Sequence, residues 1–275
     1  MKKKILKFVA LIVAIALIAA VCWFTNALNG NPISKMLAEK AAADYLEENF
    51  ADTDYHIENL GFSFKDTCYY GHVRSRSSMD TQFTLYIDMI GRVYFDTYES
   101  VTGGHVTASR VQAEYRELTD QVFESPNFPY PDGICYGTLE LYPQEAIDDP
   151  NVTDIPNYTL TYEDLILDKI YDPRELGAQA GHLIVYVDSN TITYEEAAGI
   201  MLFIRDEFDK ANIPFRAIDF MLQYPLPEEG QRPDVSIGVE NFLYENIYEE
   251  GLEDRIAVVD TARKAYYAEQ NSNGK

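Results

Sequence analysis

The chain carries four histidines, His56, His72, His105 and His182, and one of them stands in a pattern that suggests chemistry. His72, Arg74 and Arg76 alternate, so on a strand they project from one face, and Asp80 follows at the next turn. An imidazole and two guanidiniums on one face make a strip suited to a carboxylate or another small anion, such as a peptide terminus. The background is acidic, however, and Asp88 or Asp96 could equally pair with the same arginines across neighbouring strands.

Other chemistry has less to stand on. His182 opens an apolar strand and reads as a hydrogen-bonded edge residue, and His105, after Gly103-Gly104, reads as a surface-loop histidine. No two histidines fall at a metal-ligand spacing, no Gly-x-Ser-x-Gly elbow occurs, and no glycine-rich phosphate loop precedes a helix. The sequence therefore assigns no catalytic residue, no cofactor and no metal. Glu195-Glu196 and Asp206/Asp209 are carboxylate pairs of the kind a hydrolase uses, but such pairs are common in a chain with 45 acidic residues. Cys68 and Cys135 form a candidate disulfide if the compartment is oxidising; two unpaired buried thiols are the alternative.

The elements that must position these residues begin with an apolar segment. Lys2, Lys3, Lys4 and Lys7 precede an uncharged run from Phe8 to Phe24, which at about 1.5 Å per residue gives roughly 25 Å of helix. Counted from residue 5 to residue 24, the segment is long enough to span a bilayer. The lysine bias predicts a cytoplasmic amino terminus with the rest of the chain outside, and Trp23 sits where an interfacial anchor belongs. The competing reading is a cleaved secretory signal, with Thr25-Asn26-Ala27 as the cleavage site. A formal charge of −23, more negative still without those lysines, excludes nucleic acid as a partner.

Beyond a short tether at residues 25–30, Asn31-Pro32 predicts a capped helix running to about Phe50. Period-two alternation then predicts a four-stranded antiparallel meander up to Ser100. A helix from Ser109 is expected to close a first domain, residues 31–125. Residues 126–158, rich in proline and acid, read as a connector holding one strand at 134–142. Residues 159–270 then read as a second domain. Its elements are a strand at 165–169, a helix from Asp172-Pro173, an interior strand at 182–188, a helix from Thr193, two alternating strands and a last helix from about Gly251. The expected class is α+β: an N-terminal transmembrane helix and two small two-layer domains, the first a helix on a meander, the second a mixed sheet with helices on one face.

Three stretches carry a resemblance. Asn31-Pro32-Ile33-Ser34 opens the first helix. Ser77-Ser78-Met79-Asp80-Thr81-Gln82-Phe83 enters the sheet, and Pro214-Phe215-Arg216-Ala217-Ile218-Asp219-Phe220 is followed later by Tyr244-Glu245-Asn246-Ile247-Tyr248-Glu249-Glu250-Gly251-Leu252. Together they resemble the YfjL-like proteins of Gram-positive bacteria over nearly the whole chain. The resemblance implies one membrane segment and two small exported α/β domains, and it brings no biochemical activity with it. In shape the first domain also resembles cystatin-like and PepSY-type modules. The expected function is a non-enzymatic binding or scaffolding module of the cell envelope, contacting the membrane through residues 5–24 and an envelope protein or peptide. An exported hydrolase with an unrecognised acid/His site, or a sensor of a membrane partner, stands as the alternative.

Overall fold

The computed structural model describes residues 2–227, 231, 233 and 235–273. Helix α1 (Lys2–Asn29) leads into α2 (Pro32–Asn49), then β1 (His56–Ser63), β2 (Cys68–Arg74), β3 (Gln82–Ile87) and β4 (Val93–Asp96), a single turn α3 (Glu99–Thr102), and α4 (His105–Phe123). There follow β5 (Ile134–Leu139), β6 (Leu141–Tyr142), α5 (Gln144–Asp148), β7 (Leu160–Thr161), α6 (Pro173–Ala180), β8 (Gly181–Asp188), α7 (Tyr194–Ala211), β9 (Ala217–Gln223), β10 (Ser236–Leu243) and α8 (Leu252–Asn273). The chain divides into two units, Met1–Val106 and Thr107–Lys275.

Unit 1 is the expected helix on a meander, with strand order β1-β2-β3-β4. Small residues on α2, Ala38 and Ala42, let the helix approach Tyr69, Val73, Phe83, Leu85 and Ile87 of the sheet, all buried. Asn31 caps α2 by accepting from the Ser34 N–H at 2.8 Å, and the Ser34 hydroxyl in turn lies 2.8 Å from the Tyr69 hydroxyl. The tether expected at residues 25–30 is instead helical through Asn29. The junction between the two helices is Gly30, at φ +71°, and Asn31. A Cβ on Gly30 would stand 2.2 Å from the Tyr69 hydroxyl oxygen, so both the backbone angle and the space require glycine.

The domain boundary differs from the sequence expectation. Helix α4 starts at His105, four residues before Ser109, and it does not close the first domain. Its Val111, Tyr115, Leu118 and Val122 stripe is buried in the core of unit 2. The expected connector likewise belongs to unit 2, because β5 lies within it and pairs antiparallel with β8. The stripe was visible, but amphipathicity does not say which sheet a helix covers. His105 is accordingly the first residue of a helix and not a loop residue. The strand expected at 165–169 is absent; Asp168 at φ +61° and the Lys169 N–H to Ile166 C=O bond make that segment a turn, and the strand is Leu160–Thr161.

The main sheet of unit 2 is mixed, in the order β10-β9-β8-β5, with β8 and β9 parallel and the outer pairs antiparallel. Leu183, Val185 and Val187 of β8 and Ile218, Phe220 and Leu222 of β9 face one core shared with α4, α6, α7 and α8. Alternation then sends His182, Ile184 and Tyr186, with Asp219 and Met221, to the other face.

Helix α8 is fastened by an ion cluster. The fully buried carboxylate of Asp260 accepts from the Gly238 N–H at 3.0 Å, the Tyr194 hydroxyl at 3.1 Å and the Lys264 ammonium at 2.7 Å, with the Arg263 guanidinium at 3.3 Å. Burial alone would push its carboxyl upward; Lys264, the Gly238 N–H and Arg263 outweigh that and hold it below the usual carboxylate range. Replacing Asp260→Asn should therefore lower the stability of unit 2 by about 3 kcal/mol, read as a lower urea midpoint for its transition at pH 7.

Candidate functional site

His182 lies on β8 with strands on both sides, opposite Thr138 of β5 and Ala217 of β9, so it is an interior residue and not the edge residue expected from sequence. It is 3% exposed. Glu140 Oε1 stands 2.6 Å from its Nδ1, and Asp219 Oδ1 stands 2.9 Å from its Nε2. The Nε2–H is not directed along that second line, so the contact is an ion pair and not a linear hydrogen bond. The Tyr158 hydroxyl approaches Nδ1 at 3.3 Å and donates to Asn241 Oδ1 at 2.9 Å.

Each partner is placed by a local irregularity of the backbone. Glu140 follows β5, its N–H donating to the Ala180 carbonyl at 2.8 Å and its C=O accepting from the Leu160 N–H at 3.0 Å. The register of β10 against β9 slips between Val239 and Phe242, a bulge that puts Asn241 at φ +51°. In that conformation the Asn241 N–H donates to Asp219 Oδ1 at 2.7 Å, while its side chain turns to Tyr158. Asparagine adopts the left-handed region more easily than other non-glycine residues, which suits it to the bulge.

Burial by itself would lower the His182 pKa. The contacts with Asp219 and Glu140 outweigh it and raise it to about 9, so the ring is an imidazolium at neutral pH. Burial, and then the charges of Glu140 and Asp219, push the Tyr158 phenol far upward, so it is neutral. The cluster forms the floor of a recess of about 380 Å³ walled by Tyr142, Asp154, Tyr186, Glu240, Tyr266 and Tyr267. Four carboxylates, Glu140, Asp154, Asp219 and Glu240, face a single imidazolium there. No group of three or more metal-ligating side chains is arranged to hold an ion among the described residues. A charged imidazole with a carboxylate at each nitrogen has no free lone pair for base catalysis; what the recess offers is negative potential, hydroxyl groups and aromatic faces.

The strip expected at His72, Arg74, Arg76 and Asp80 is only half assembled. His72 and Arg74 project from β2 into a groove of about 510 Å³ in unit 1. His72 Nδ1 lies 3.2 Å from the Thr84 hydroxyl, and Arg74 pairs with Glu58 at 3.1 Å, an acid other than the two the sequence suggested. Asp88 instead holds Arg92, and Asp96 accepts from the Tyr45 hydroxyl. Arg76 lies past the end of β2, where its backbone N–H donates to Asp54, and Asp80 is fully buried. The alternation that would have carried Arg76 onto the same face ends with the strand. Cys68 and Cys135, the candidate disulfide pair, are both free thiols, one in each unit. Burial pushes the Cys135 thiol up to about 11, which leaves it unreactive at neutral pH.

The family model described as "YfjL-like, N-terminal domain" matches residues 3–97, and the "YfjL-like C-terminal domain" matches residues 114–257. The chain belongs to the YfjL-like family. The gap between the two matches contains the boundary between the two units, and both sides of the His182 cluster fall within the C-terminal YfjL-like domain. No curated protein and no solved structure matches this YfjL-like chain.

Sequence reasoning missed the cluster because its members are spread from Glu140 to Asn241, with His182 and Asn241 lying 24 and 83 positions from Tyr158, and no local motif joins them. The available signal was a histidine in an otherwise apolar strand, followed by a strand with one acid, Asp219, among Ile218, Phe220 and Leu222. The folded pKa of about 9 exceeds the unfolded value of about 6.5, so the stabilisation from His182 is complete below about pH 6.5 and disappears as the pH rises through 9. Unit 2 should lose a few kcal/mol between pH 6.5 and 10, and His182→Gln should flatten that slope in urea titrations across the range.

Proposed function

We propose that this YfjL-like chain is a single-pass membrane protein with both units outside the cytoplasm, serving as a binding module for another envelope component. The observation that carries the proposal is α1. Its segment from Phe8 to Asn26 has a mean hydropathy of 2.7 and none of it is buried against the rest of the chain. Exposed side chains such as Leu11, Ile15, Ile18 and Val21 find no cover within the protein, and in water that surface would be costly. The lysines before the segment favour an amino terminus in the cytoplasm.

Binding is favoured over catalysis because the one buried histidine cluster holds a clamped cation and not a poised base. The recess above it suits an ammonium group, such as a peptide amino terminus or a lysine-like side chain of an envelope protein or peptide. The exposed Asp154 and Glu240 would meet it first, and the tyrosine rings would line its path.

Two measurements test this reading. Membranes from cells making the full chain should retain it through alkaline carbonate extraction, and protease added to intact spheroplasts should digest it; release into the medium would show a cleaved signal instead. Carbodiimide coupling in native membranes, which joins carboxylates to amines with no spacer, should give an adduct that maps to Asp154 or Glu240. The adduct should disappear in the Asp154→Asn, Glu240→Gln double variant; adducts unaffected by that variant would remove the recess as the binding site.

A further inference from the structure

The two hairpin turns of unit 1 share one end of its sheet. Ser63 pairs with Cys68 across the β1–β2 turn, Tyr69 pairs with Ile87, and Ile87 pairs with Val93 across the β3–β4 turn, so both turns lie where α2 begins. The packing confirms the placement. Asn31 C=O accepts from the Tyr69 hydroxyl at 3.2 Å, and a Cβ on Gly91 would stand 2.9 Å from the Leu37 carbonyl oxygen.

At this end apolar side chains point into solvent. Ile33 is 68% exposed and Met36 60% on the first turns of α2, Phe64 is 58% exposed at the first hairpin tip and Ile90 64% at the second. Isolated exposed apolar residues are ordinary; four at one end of one small unit, on three separate segments, are a surface. Lys35, Lys65 and Arg92 stand among them and are exposed, each beside an acid: Glu39 lies 3.9 Å from Lys35, Asp66 follows Lys65, and Asp88 holds Arg92 at 2.7 Å. Apolar side chains flanked by long amphipathic ones fit a lipid interface, where the alkyl stems lie along the acyl boundary and the paired charges stay at the headgroup level.

The end in question is also the end joined to α1. Because α1 stays helical to Asn29, the chain rises only about 5 Å from Asn26, the last residue of the apolar segment, to Asn29. The headgroup layer of one leaflet is about 5–8 Å deep. Gly30 and Asn31 then turn directly into α2. A spanning α1 leaves this end no distance at which to stand clear of the lipid.

We infer that unit 1 docks on the bilayer through this end, seating Ile33, Met36, Phe64 and Ile90 in the interface of the leaflet from which α1 emerges. The inference rests on the membrane-tethered reading and adds to it a defined contact face. Met79, 52% exposed in the turn between β2 and β3 at the opposite end of the sheet, is the natural control.

The test uses the full chain in vesicles of phosphatidylcholine and phosphatidylglycerol containing brominated lipid. In a Trp23→Phe background, single Phe64→Trp, Ile90→Trp and Met79→Trp variants are compared for quenching, while native Trp23, the sole tryptophan, reports on α1. The expected result is strong quenching and a blue-shifted emission for Phe64→Trp and Ile90→Trp, and neither for Met79→Trp. Quenching of native Trp23 with Phe64→Trp and Ile90→Trp as unquenched as Met79→Trp would overturn the docking and leave the tether standing. Absence of quenching at Trp23 as well would overturn both.

Discussion

The constraint on which unit 2 depends is the burial of a charged imidazole. A protonated histidine that is 3% exposed is tolerable only with opposite charge beside it, and Glu140 and Asp219 supply that charge at 2.6 and 2.9 Å. To bring Asp219 there, β9 must run beside β8 in the parallel sense, so that residue 219 shares a face with residue 182. To bring Glu140 there, β5 must continue the sheet on the other side of β8. Asp219 also needs a third element: the bulge at Asn241 turns a backbone N–H onto it and returns a side chain to Tyr158. Strand order, register and bulge all serve the same small cluster, and the recess above it inherits an excess of negative charge.

Unit 1 obeys a different constraint, set by its connection to α1. Helix continuity through Asn29, glycine at the positive-φ position between the two helices, and the Asn31–Ser34–Tyr69 hydrogen bonds make the junction stiff. Were residues 25–30 a coil, the unit could roam within about 20 Å of the surface. A helix removes that freedom and fixes which end of the sheet is nearest the apolar segment. The exposed side chains at that end are then an expected consequence of where they are and not a flaw in the packing.

Much of this was legible in the chain, and the limits have physical causes. Helix α2 and its cap, the meander, the apolar β8 and the Thr193-capped α7 follow from local periodicity and capping chemistry, and local rules hold there. The affiliation of α4 was not legible, because its Val111–Val122 stripe records only that a face is buried. The strip at His72, Arg74 and Arg76 assumed a strand two residues longer than β2; it ends at Arg74, and Arg76 leaves the face. For the His182 cluster the chain shows only the polar residues His182 and Asp219 in apolar strands, not their meeting. The cluster depends on a parallel pairing and a bulge, neither of which is written in neighbouring residues.

The central claim is that His182 is an imidazolium with both nitrogens protonated at neutral pH. Nitrogen-15 NMR of the full chain in detergent, with label in its four histidines, reads this directly, and His182→Gln assigns the signal. The account predicts two protonated-type ring nitrogens for His182 at pH 7, persisting to about pH 9. A neutral ring at pH 7, with one pyridine-type nitrogen, would contradict it.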